Sequence, residues 1–103
     1  MIKLVWTNWG ANIALGVYAP TKAEVERIFN GCYNFGAVSQ HAKLHILKDD
    51  ENGTFGFFKT TWSELVKVAD VPYIAKFLPK TQLEIDSMRE DFLDETYAST
   101  LQD

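Results

Sequence analysis

The spacing Thr-x-x-Glu occurs three times, at Thr21/Glu24, Thr61/Glu64 and Thr81/Glu84, and each occurrence marks a helix start. In such a capping box the threonine oxygen accepts an orphan backbone amide of the first turn, while the glutamate reaches back to the capping residue's own amide. Helices opening at Lys22, Trp62 and Gln82 leave the stretches before Thr21 and between Gly36 and Thr61 for other structure.

Those stretches carry strand patterns. In residues 2–7, Ile2, Leu4 and Trp6 alternate with polar or smaller residues, and residues 13–19 repeat the pattern with Ile13, Leu15 and Val17. Asn8-Trp9-Gly10-Ala11-Asn12 between them has turn chemistry, because glycine and asparagine tolerate positive φ. Residues 38–48 and 54–60 read as a second hairpin around Asp49-Asp50-Glu51-Asn52-Gly53. After Thr21, the residues Val25, Ile28, Phe29 and Cys32 form an apolar stripe at helical spacing until Asn30-Gly31 and Asn34-Phe35-Gly36 break the pattern. Pro72 to Leu78 forms one or two helical turns that stop before Pro79. The expected fold is α+β, in the order β-β-α-β-β-α-(α)-α: a small, mostly antiparallel sheet of about four strands with helices packed on one face.

A chain of 103 residues with 47% hydrophobic and 14% aromatic residues is long and apolar enough for a single domain spanning 1–103 with one core. One cysteine allows no internal disulfide and no four-cysteine zinc site, which favours a reducing compartment. Lys3, Thr7, Asn8 and Asn12 interrupt the first eighteen residues, so neither a signal peptide nor a membrane span is expected there, and the cytoplasm is the default location.

Nothing in the sequence assembles a catalytic site. Cys32 lies on the apolar stripe and reads as a small core residue rather than a nucleophile. His41 and His45, the only histidines, fall on an expected strand, where four residues span about 13 Å and cannot chelate one ion without a bend. There is no phosphate-binding loop, dinucleotide fingerprint or nucleophile elbow. A non-catalytic protein without metal or cofactor is the expectation.

Within Lys43 to Thr61, the run His-Ile-Leu-Lys-Asp-Asp-Glu-Asn-Gly-Thr-Phe-Gly-Phe-Phe resembles the second and third strands of an RNA-recognition motif domain. The helices expected at Lys22 to Tyr33 and Trp62 to Ala69 fall in that family's order, and the likeness covers residues 14–70. The resemblance implies that Phe55 and Phe57 stack on bases and that Phe58 packs inward. Phe55, Phe57, His45, Lys43 and Lys59 would then form one single-stranded RNA- or DNA-binding platform. Thr54 replaces the motif's first glycine, and no fourth strand is apparent after Ala69.

Charge points elsewhere. The chain carries a net charge of −4, yet residues 81–103 hold seven acids against Arg89 alone, leaving residues 1–80 with nine bases and seven acids. On a continuous last helix, Ile85, Met88 and Phe92 form an apolar stripe flanked by Leu93. Glu84, Glu90, Asp91, Asp94 and Glu95 gather on the opposite arc as an exposed ridge. Asp86/Glu90, Glu90/Asp94 and Asp91/Glu95 are like-charge pairs at i, i+4 that cost the helix a few tenths of a kcal/mol each. Such a ridge suits docking onto a protein partner with a basic surface, including one that ordinarily holds nucleic acid. In size and concentrated charge the chain resembles small phage and mobile-element antagonists of host defence or nucleic-acid-handling proteins. A small acidic inhibitor or modulator is therefore the leading expectation. Nucleic acid is the ligand only under the platform reading, and no membrane is involved under either.

Overall fold

The computed structural model describes residues 1–93. Strands β1 (Lys3–Trp9), β2 (Asn12–Ala19), β3 (His45–Asp50) and β4 (Gly53–Thr60) form one antiparallel sheet in the order β1-β2-β4-β3. Helix α1 (Lys22–Asn34) joins the two hairpins. α2 (Trp62–Leu65) runs into a 3-10 turn at Val66–Val68, and α3 (Pro72–Ala75) and α4 (Gln82–Ser87) follow. The fold is α+β, as expected. Among the described residues, no helix is long and apolar enough to cross a membrane.

All three threonine caps form. The Thr21, Thr61 and Thr81 hydroxyls accept the amides of Glu24, Glu64 and Glu84 at 3.4, 3.1 and 3.1 Å. The reciprocal half differs from the expected box. Glu24 and Glu84 accept from the threonine hydroxyl itself, at 3.0 and 3.5 Å, and Glu64 pairs with Lys67 at 2.8 Å. A hydroxyl that accepts from an amide still has its own proton to donate, and the nearby carboxylate takes it.

Leu4, Trp6, Ile13, Leu15, Val17 and Phe58 present one sheet face to Val25, Ile28 and Cys32 of α1, with Leu65, Val68 and Ile74 closing the same core. Each such side chain contributes about 1.5–3 kcal/mol relative to exposure. Cys32 is fully buried, and burial pushes its thiol up to about 12, which fits its reading as a packing residue. Trp6 holds α4 down: its indole N–H donates to the Ile85 carbonyl at 2.6 Å, and its ring meets Trp62 edge-on.

Three expectations need correction. The first turn is shorter than its composition suggests: Gly10 and Ala11 alone make it, with Gly10 at φ +59°, so Trp9 pairs with Asn12 as a strand residue. Strand β3 starts at His45, not at residue 38. Val38 is buried in the core, the Ala37 carbonyl accepts the Thr60 hydroxyl at 2.6 Å, and Ser39 closes a turn by accepting the amides of His41 and Ala42. His41 therefore sits in that turn, and Lys43 in the exposed loop before β3.

The last helix ends at Ser87 instead of continuing through Phe92. The Trp6 amide donates to the Met88 carbonyl at 3.2 Å, and the Glu90 amide donates to the Trp6 carbonyl at 2.8 Å, so Arg89 pairs alongside β1. The outward backbone groups of an edge strand are strong competitors for a helix end weakened by like-charge pairs and by acids facing its negative pole. Ile85 and Met88 still pack on the helical side of the sheet, as the stripe implied. Phe92 is carried round the β1 edge to the other side.

Candidate functional site

The sheet face opposite α1 is built by register. Lys3, Tyr18, Phe55 and Lys48 form one row across the four strands, Val5, Gly16, Phe57 and His45 the next, and Thr7, Ala14 and Lys59 a third. Alternation along each strand sends these residues to one side and the core residues to the other. Gly16 makes the close packing possible: a Cβ there would lie 2.8 Å from the Phe55 ring and 2.9 Å from Val5 Cγ2. Tyr18 and Phe55 ring centroids are 4.2 Å apart, His45 stacks on Phe57 at 5.1 Å, and Trp9 meets Phe57 at 5.8 Å. Lys59 Nζ lies 4.8 Å from the centre of the Trp9 ring.

Residues 90–93 lie across this face as a strap. The Tyr18 hydroxyl donates to Glu90, and the Thr7 hydroxyl donates to Asp91 at 2.9 Å. Arg89 Nε approaches the same Asp91 oxygen at 3.3 Å. Phe92 stands edge-on to Phe55 and 5.6 Å from Phe57, while Leu93 packs with the cluster of Trp9, Ala14 and Phe57. Tyr18 is pushed up to about 12, first by burial and then by the hydrogen bond and negative charge of Glu90.

The expected nucleic-acid platform is thus assembled only in part, and it is covered. Phe55, Phe57, His45 and Lys59 do share a face, but Lys43 does not join them. Phe55 is 5% exposed and Phe57 fully buried, because the chain's own extended segment, not a helix, lies on them. Phe58 packs inward, as the resemblance implied.

The expected acidic ridge is divided. Glu84 is exposed on α4, Glu90 and Asp91 leave the helix for the hydroxyls of β2 and β1, and Asp94 and Glu95 lie outside the described residues. Asp86, also on α4, takes a hydrogen bond from Gln82 at 3.0 Å and remains exposed. Beside these acids Leu83 is 79% exposed, and a cleft of about 190 Å³ lined by Trp62, Leu65, Val66, Leu78, Pro79 and Ile85 runs along the inner side of the helix.

Sequence reasoning passed over Thr7, Trp9, Gly16 and Tyr18. Their signal was present in the second phase of each alternation: once the turn is confined to Gly10-Ala11, Val5-Thr7-Trp9 and Ala14-Gly16-Tyr18 become a shared face. A scan against protein-family models finds no match, and neither do searches of curated proteins and of solved structures.

Proposed function

We propose that this chain is a non-catalytic protein-binding module, a small inhibitor or modulator that docks through α4 onto a basic partner surface. The observation that carries the reading is Leu83, 79% exposed on a helix whose neighbouring exposed charges, Glu84 and Asp86, are both acidic. A large apolar side chain within a charged rim has the anatomy of an interface anchor: the apolar group supplies affinity, and the rim supplies steering and specificity. The cleft beside α4, with Val66 71% exposed at its edge, extends the apolar area available to a partner.

Docking here uses Glu84 and Asp86, and leaves Glu90 and Asp91 to their bonds with Tyr18 and Thr7. A partner groove that ordinarily holds nucleic-acid phosphates has the matching charge, which suits an antagonist of a defence or nucleic-acid-handling protein. The single-stranded nucleic-acid reading takes second place because Phe55 and Phe57 are covered.

The test is quantitative affinity capture from the source organism's lysate with the wild-type chain and with Leu83→Ser/Glu84→Lys/Asp86→Lys. A protein retained by the first and lost from the second, with retention falling as salt rises, is the expected result. An identical set of captured proteins from both chains refutes docking through α4.

A further inference from the structure

Residues 90–93 of the chain itself lie over the sheet face, held there mainly by side-chain contacts. Two hydroxyl donors, on Tyr18 and Thr7, meet the consecutive carboxylates of Glu90 and Asp91. The next side chain, Phe92, enters the aromatic surface made by Phe55 and Phe57. The Glu90 amide donates to the Trp6 carbonyl at the β1 edge, and among the described residues, residues 91–93 make no backbone hydrogen bond to the sheet, so beyond Glu90 side-chain chemistry selects what lies there. Cationic side chains stand at the rim, Lys59 over Trp9 and Lys3 and Lys48 at the two ends of the Tyr18 row.

From this we infer that the face of Thr7, Trp9, Tyr18, Phe55 and Phe57 is a peptide-binding site. Its ligand is a partner segment with two adjacent carboxylates followed by an aromatic residue, and residues 90–93 occupy the site in cis. A tethered segment acts at an effective concentration of about millimolar, so a partner peptide gains the site only by excess or by loosening of the strap. A second copy of the chain is not the occupant. The Trp6 indole ties Ile85 of α4 to its own sheet at 2.6 Å, and the Glu90 amide donates to the Trp6 carbonyl, so the connection into the strap is anchored at both ends within one molecule. This site is independent of the α4 surface and is tested by different substitutions.

A fluorescent peptide of residues 87–93 is titrated into the full chain carrying Glu90→Ala/Asp91→Ala/Phe92→Ala, into Phe92→Ala alone, and into the wild type, with near-ultraviolet circular dichroism reporting the fold. The folded loosened variants should bind at least tenfold more tightly than the wild type. Adding Tyr18→Phe and Thr7→Val to them should weaken the acidic peptide several-fold, and its amide counterpart, with Gln and Asn in place of Glu and Asp, by less. If a variant does not fold, 15N-labelled wild type with several-millimolar unlabelled peptide should show shifts at Tyr18, Phe55 and Phe57 as the strap is displaced. Absence of those shifts, or of binding to a folded loosened variant, overturns the inference. So does dimerisation of that variant in sedimentation, or its binding of oligo(dT) or oligo(U) in place of the peptide.

Discussion

Phe92 stands edge-on to Phe55, with ring centroids 5.0 Å apart and planes at 83°, so the end of the described chain closes the sheet face that the second hairpin creates. Edge-to-face pairing puts the positive rim of one ring on the negative face of the other, a preference beyond simple area burial. The face beneath is packed to contact, and disturbing either ring is felt by Tyr18, Gly16 and Phe57.

Phe92→Ala should destabilise the fold by about 2 kcal/mol, less than the 3–5 kcal/mol of a fully buried phenylalanine because Phe92 is half-buried. Urea unfolding should show a lower midpoint, and the Trp9 environment should become more polar in fluorescence. An unchanged midpoint would mean that Phe92 does not pack there.

Gly16→Ala should cost about 1–3 kcal/mol by overpacking, since the new methyl meets the Phe55 ring at 2.8 Å while Tyr18 and Phe92 hold that ring in place. Gly10→Ala makes a useful contrast. No atom lies within 4 Å of that Cβ, so its cost arises from the backbone at φ +59°, about 1 kcal/mol. Thermal unfolding of the two variants separates crowding from backbone strain.

Tyr18 ties stability to alkaline pH. Its folded value of about 12 exceeds the ordinary 10.0, so the neutral phenol is favoured in the folded chain. That contribution is fully present below pH 10 and is lost as pH rises towards 12, because above 10 the unfolded chain gives up a proton that the folded chain retains. Denaturation midpoints should therefore fall across that window, and Tyr18→Phe should flatten the fall. A rise, or the same slope in the variant, contradicts the burial of Tyr18 beside Glu90.

Each of Thr21→Ala, Thr61→Ala and Thr81→Ala should cost about 1 kcal/mol, the usual loss of a helix cap. Thr81→Ala should act most locally, loosening α4 without reaching the α1 core. Hydrogen exchange at Glu24, Glu64 and Glu84 would show which amide each substitution exposes.

The contrast between caps and strap explains what the sequence could disclose. Caps and strand alternation are local: Thr21 finds Glu24 three residues away, and Leu15 shares a face with Val17 whatever the rest of the chain does. The route after Ser87 is not local. Ile85, Met88 and Phe92 show the same spacing whether the helix continues or ends, and the deciding contact is the backbone of Trp6, more than eighty residues earlier. For the same reason Glu90 and Asp91 looked like members of a solvated ridge, although their hydroxyl partners, Tyr18 and Thr7, lie on the first hairpin. Trp9 was obscured differently, since the asparagines and Gly10 around it carry turn chemistry that the hairpin needs at only two positions.

Nuclear Overhauser contacts from the Phe92 ring decide most directly whether the chain leaves its last helix to cover the sheet. Contacts from Phe92 to the Phe55 and Phe57 rings, with the Glu90 amide close to Trp6, are the expected result. Helical i, i+3 contacts running unbroken from Ile85 through Phe92, with the Phe55 ring free of them, would contradict it.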